Sequence, residues 1–145
     1  MSTVSKKSLV QPYLMFNGRC DEALDFYKKA LGAEVLMLMR FKDSPELPPP
    51  GCAPSPADKV MHTSFRIGET VLMASDGQCE GEPKFEGISL SLTVPTEAEA
   101  EKYFGTLANS GQVVMPLAKT FFSAKFGMVN DKFGLNWMVL VTPNV

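Results

Sequence analysis

Histidine occurs once in the chain, at position 62. That scarcity removes every metal site needing two imidazoles from one chain, including H-E-x-x-H and the two-histidine, one-carboxylate arrangement. The eleven glycines never fall into a G-x-G pattern, so the loops that cradle phosphates or a dinucleotide are missing. Nicotinamide, ATP and adenosylmethionine enzymes of the usual kind are thereby disfavoured, and no cofactor is expected. Cys20, Cys52 and Cys79 are odd in number, widely spaced and free of any C-x-x-C pair. They support neither a disulfide framework nor a zinc knuckle, and a cysteine nucleophile would have to rely on His62 as its base. Basic residues are not in excess: 14 Lys and Arg stand against 16 Asp and Glu, and the isoelectric point is near 5.4. Nucleic acid is not an expected partner, because binding a phosphate backbone draws on positive charge. The longest apolar runs, Val35 to Met39 and Trp137 to Val141, are five residues each. A bilayer span needs roughly 20, so no membrane partner is expected. The first ten residues contain two lysines but no apolar stretch of signal-peptide length, and the expected compartment is cytoplasmic.

What is present suits a folded domain. With 145 residues, 45% hydrophobic and 21% charged, the chain can bury a core without disulfide support. Gln11 to Phe16 reads as a strand, followed by a turn at Asn17 and Gly18. From Asp21, the apolar residues Ala23, Leu24, Tyr27, Ala30 and Leu31 recur at helical spacing, and Gly32 supplies the stop. Glu34 to Phe41, Lys59 to Ile67 and Glu69 to Ser75 then read as strands, the last two joined by a tight turn at Gly68. The order is β-α-β-β-β.

The second half repeats that order. Ile88, Leu90, Leu92 and Val94 alternate with Ser89, Ser91 and Thr93, as a strand with one face on a core requires. Thr96 and Glu99 form the S/T-x-x-E signature that opens a helix, whose apolar face is Ala100, Tyr103, Phe104, Leu107 and Ala108 and which ends near Gly111. Gln112 to Leu117, Lys125 to Val129 and Leu135 to Val141 supply three further strands. Phe16 registers with Val94, Val35 with Val114 and Gly68 with Gly134, which leaves extra residues in the first half. The segment 44–58, holding six of the eleven prolines, accounts for them as an extended loop, a lid or a partly disordered arm. The expected organisation is one domain over 9–143: module one is 9–76 with the insertion 44–58, and module two is 87–143. A helix covers one face of each sheet, and the uncovered faces should line a shared cleft.

The segments PYLMFNGRCDEALDFYKKALGAEV, VMHTSFRIGETVLMASD and FGMVNDKFGLNWMV resemble the PhnB-like branch of the vicinal oxygen chelate superfamily, which includes glyoxalase I, extradiol dioxygenases and bleomycin-type resistance proteins. The resemblance runs from about Gln11 to Val141. It implies an α+β fold of two β-α-β-β-β modules forming a curved mixed sheet around a cleft, and a homodimer. Domains of this kind also carry the label of a 3-demethylubiquinone-9 3-methyltransferase, an activity for which the sequence offers no adenosylmethionine loop.

Metal-dependent members of the superfamily hold a divalent ion with a histidine on the first strand of each module and a glutamate on the last. By resemblance, the first-strand positions fall at Gln11 or Pro12 and at Ser89 or Ser91; the last-strand positions fall at Leu72 or Met73 and at Met138. A thioether cannot replace a carboxylate at a hard ion, so no metal ligand is assigned. The candidate ligand-binding residues are Gln11, Tyr13, His62, Ser64, Met73, Ser91, Phe122 and Met138. His62 has two readings, a hydrogen-bonded structural residue or a ligand-contacting acid–base group. Arg66, on the same face, is either an anion ligand or a solvated strand-end residue. Phe121, Phe122 and Phe126 either line an apolar pocket or close the core, and Trp137 belongs to the core. The expected function is binding of a small, largely apolar or aromatic molecule without a bound metal. The alternatives are a metal-dependent lyase, isomerase or dioxygenase, with a site drawn from His62, Gln11, Ser91 and a partner chain's acidic residue, or a methyltransferase.

Overall fold

A computed structural model describes residues 3–44, 57–77 and 81–143. In chain order the elements are β1 (Tyr13–Met15), α1 (Cys20–Leu31), β2 (Glu34–Arg40), a short 3-10 turn (Phe41–Asp43), β3 (Val60–Ile67), β4 (Thr70–Ser75), β5 (Ser89–Val94), α2 (Glu97–Ala108), β6 (Gln112–Ala118), β7 (Phe126–Asn130) and β8 (Asn136–Val141). The α+β fold of two β-α-β-β-β modules is therefore present. Its strands form two four-stranded sheets, one from each module, ordered β1-β4-β3-β2 and β5-β8-β7-β6. Each module closes its own sheet by a parallel pairing of its first strand with its last, which leaves β1 and β5 as edges. The central part of the proline-rich insertion, 45–56, and with it the question of a lid, lies outside the described residues.

Each helix forms for reasons that the sequence carries in part. In α1, Ala23, Leu24, Tyr27 and Ala30 are buried, and Gly32, at φ 70°, ends the helix by donating its N–H to the Lys28 carbonyl at 3.0 Å. The N-terminus of α1 is capped from far along the chain. Buried Asp76 accepts hydrogen bonds from the backbone N–H groups of Gly18 at 2.7 Å and Cys20 at 2.8 Å, and from Val60 at 2.7 Å. In α2, Thr96 Oγ1 accepts from the Glu99 N–H at 3.2 Å.

One core joins the modules through the backs of both sheets. Leu14, Phe65, Leu72 and Ala74 from the first sheet share a hydrophobic cluster with Val129, Trp137 and Val139 from the second. Tyr27 of α1 bridges them, stacking on Phe65 with ring centroids 6.2 Å apart and meeting Trp137 at 5.7 Å. The bridge carries a polar clamp: Asp131 accepts from Tyr27 Oη at 2.5 Å and Trp137 Nε1 at 2.9 Å. Phe133, in the turn after β7, packs edge-on against Phe16 and Phe26. The modules thus meet through α1, α2 and the backs of the sheets, and the opposite sheet faces are left open.

Candidate functional site

Cross-strand partners share a sheet face, so the register defines the open faces row by row. In the first sheet, Tyr13 pairs with Met73, Met73 with Ser64, and Ser64 with Met37. In the second, Ser91 pairs with Met138, Met138 with Met128, and Met128 with Met115. The two rows occupy the same place in the duplicated module. Their neighbours in sequence are buried in the core: Leu14, Leu72 and Phe65 in the first, and Trp137 and Val129 in the second. The row residues themselves are half-buried or exposed; Tyr13 is 41% exposed, Met37 41% and Met115 46%. Three further methionines, Met37, Met115 and Met128, therefore complete a surface that the sequence reading had built from Met73 and Met138 alone. Strand alternation carried the signal for Met128, but bulges in β2 and β6 hide the register of Met37 and Met115.

Of the expected site residues, the structure brings Tyr13 and His62 into direct contact. Tyr13 Oη lies 2.9 Å from His62 Nδ1, and the ring centroids are 5.5 Å apart. Burial pushes the Tyr13 phenol above its ordinary pKa, offset in part by the Ser75 hydroxyl. Ser64 lies two residues along β3 from His62, beside Met73. Gln11 turns its amide to the Val71 carbonyl at 3.0 Å, anchoring the lead-in to β1. Ser91 and Met138 belong to the second sheet, while Phe122, in the connection between β6 and β7, stands edge-on to Phe126 at 5.3 Å, and Phe121 projects from the same connection with 99% of its surface exposed. The eight candidates thus fall into two groups, Gln11, Tyr13, His62, Ser64 and Met73 in module one and Ser91, Phe122 and Met138 in module two. Arg66 is ion-paired with Glu34 across β2 and β3. Trp137 is 3% exposed.

The donor set can be weighed against the metal that the superfamily implies. By register, the first- and last-strand positions carry Tyr13 and Met73 in one module and Ser91 and Met138 in the other. A phenol, a hydroxyl and two thioethers do not fit a hard divalent cation, which takes imidazole and carboxylate oxygen. Among the described residues, no three His, Cys, Asp or Glu side chains converge. The polar rows beside these positions are satisfied internally: Ser89 Oγ donates to Asn136 Oδ1 at 2.6 Å, and Asn136 Nδ2 to Asn130 Oδ1 at 2.8 Å.

A family model described as 3-demethylubiquinone-9 3-methyltransferase matches residues 8–140. The chain belongs to this family. Protein YjdN of Escherichia coli K12 is 34% identical over 139 residues, covering 91% of this chain and 94% of its own. Among solved structures, protein PA1353 from Pseudomonas aeruginosa is 43% identical with a TM-score of 0.80, covering 93% of this chain and 98% of its own. The PhnB protein from Bacillus cereus is 30% identical with a TM-score of 0.76, covering 93% of this chain and 100% of its own. A glyoxylase/bleomycin resistance protein/dioxygenase domain from Frankia, 14% identical with a TM-score of 0.63, covers 97% of this chain and 99% of its own, and shares the fold alone. The likeness to the Bacillus cereus protein is the PhnB-like one, and the Frankia domain shows that the fold is of the glyoxalase/bleomycin resistance type. The methyltransferase description is the name of the family model. Among the described residues the strands form two mixed sheets, not the parallel, doubly wound sheet whose strand ends and glycine-rich turn bind nucleotide-type cofactors. No helix among the described residues is long and apolar enough to cross a membrane.

Proposed function

We propose that this protein binds a small, largely apolar molecule over the open faces of its sheets, in the cytoplasm, as a homodimer whose second copy covers what one chain leaves open. The carrying observation is the pair of equivalent rows, Tyr13–Met73–Ser64–Met37 and Ser91–Met138–Met128–Met115. Methionine is flexible and polarizable, so such a surface adapts to the shape of an apolar guest. Contiguous exposed apolar area of this kind marks an interaction surface.

The test combines probe binding with metal analysis. N-phenyl-1-naphthylamine, an uncharged fluorescent probe, should bind saturably, and Met73→Asp with Met138→Asp should weaken it at least about tenfold by placing charge in its path. Absence of saturable binding, or binding indifferent to both substitutions, overturns the reading. So does stoichiometric zinc, manganese, nickel or iron in protein purified without chelator and lost on His62→Ala, which would favour a metal-dependent lyase, isomerase or dioxygenase.

A further inference from the structure

The internal duplication supplies its own comparison for the strand that carries the single histidine. The rows equate Ser64 with Met128, so His62 on β3 matches Phe126 on β7, and Arg66 matches Asn130. Along the open face, β7 therefore offers a ring, a thioether and an amide already engaged by Asn136. The same stripe of β3 offers an imidazole, a hydroxyl and a guanidinium. Glu34 neutralises Arg66 at the far end, whereas among the described residues no carboxylate is ion-paired with His62. Module one is thus the donor-bearing half of an otherwise apolar surface.

The contact between Tyr13 and His62 decides which donor that half presents. A phenol that keeps its proton can either donate to a bare ring nitrogen or accept from a protonated one, but a phenol O–H is the stronger donor and an imidazole nitrogen the stronger acceptor, which favours O–H···Nδ1; a neutral imidazole that accepts at Nδ1 carries its hydrogen on Nε2. We infer that Tyr13 and His62 form one couple in which the phenol donates to Nδ1 and so fixes Nε2–H as a donor toward the open face. The bound molecule is then an apolar body ending in an oxyanion such as a carboxylate, its oxygen on His62 Nε2–H and its body on Met73 and Met37. Tyr13 is a positioning residue in this arrangement. The inference rests on the binding reading above, and adds to it the chemical end-group and the residue that receives it.

Because the chain holds one histidine, long-range 1H–15N correlation of the uniformly labelled protein reads a single imidazole. The expected form of the neutral ring is the Nε2–H tautomer, giving way to a tautomer mixture in Tyr13→Phe. The ligand arm compares 8-anilinonaphthalene-1-sulfonate with N-phenyl-1-naphthylamine, the same skeleton without the oxyanion. The sulfonate should bind about tenfold more tightly, the scale of one hydrogen bond to a charged group, and shift the His62 nitrogens. His62→Gln and Tyr13→Phe should erode the sulfonate's advantage over the uncharged probe. An Nδ1–H tautomer, or a tautomer unmoved by Tyr13→Phe, overturns the couple. Equal affinities for the two probes, or equal loss of both, overturns the oxyanion assignment while the binding reading survives. Failure of both probes to saturate overturns the binding reading itself, and this inference with it.

Discussion

At the scale of single residues, the buried carboxylates Asp76 and Asp131 organise the molecule without taking part in the candidate site. Asp131 accepts four hydrogen bonds: from Tyr27 Oη and Trp137 Nε1 on one oxygen, and from the N–H groups of Phe133 and Leu135 on the other. An asparagine there would turn an amide toward donors on one side. Asp131→Asn should cost about 2–3 kcal/mol of unfolding free energy, read by urea denaturation, because hydrogen bonds to a buried charged acceptor are replaced by donor–donor contact. Loss below about 0.5 kcal/mol would mean that the clamp does not hold the modules together. Glu22 works differently, at the surface. Arg19 first and Lys132 second hold its carboxyl down to about 2, through hydrogen bonds of 2.9 Å and 2.7 Å. A depressed carboxylate contributes stability that is present above its ordinary value of 4.5 and is lost as pH falls through about 2. The exposed geometry keeps this contribution small. Urea midpoints measured between these two pH values should fall in the parent and fall less in Glu22→Gln; parallel profiles would deny Glu22 a part in acid unfolding.

At the scale of elements, the glycines around α2 give opposite predictions. Gly105 lies mid-helix with no atom within 4 Å of where a Cβ would stand, so Gly105→Ala should raise stability by about 0.5–1 kcal/mol through helix propensity. At Gly127 on β7, a Cβ would meet Phe104 Cε2 at 2.8 Å and the backbone of Leu117 and Met115 at 3.0 Å. Gly127→Ala should therefore push α2 off the sheet and lower the Tm, where Gly105→Ala raises it; a matching rise in both would contradict the packing of Phe104 on β7. The same elements show what a sequence can reveal. Helix periodicity, the Thr96 cap and the Gly32 stop are local signals, and each has its counterpart in the structure. The cap on α1 is not local, because Asp76 sits 56 residues from Cys20 and nothing about an isolated aspartate after a strand says which N–H groups it will meet. For the candidate site, the duplication matched Phe16 with Val94, and the strand register extends that match to Tyr13 and Ser91. The hydrogen bond from Tyr13 to His62 depends on how β1, β4 and β3 lie side by side, which spacing along the chain does not encode.

At the scale of the whole molecule, the division between faces sets the expectation for assembly. The backs of both sheets are consumed by one core, whereas apolar side chains on the other faces and edges stay exposed: Met15 at 47%, Val114 at 52% and Phe121 at 99%. Binding a small guest on one such face would still leave it half in water, and a site reaches high affinity by enclosing most of the ligand surface. A second copy can supply that cover with the same residues, since a twofold pairing lets each chain's second-module face lie over the other chain's first. The proposed dimer then predicts a light-scattering mass twice the 15.9 kDa of the chain, insensitive to salt because apolar contact sustains it. Met115→Lys, placing a charge on the open face of the edge strand β6, should shift that mass toward the monomer and weaken N-phenyl-1-naphthylamine binding in the same titration, while circular dichroism stays unchanged. If the protein is a monomer at high micromolar concentration and still binds the probe with parent affinity, one chain suffices for the site, and the open faces must be covered by the guest alone.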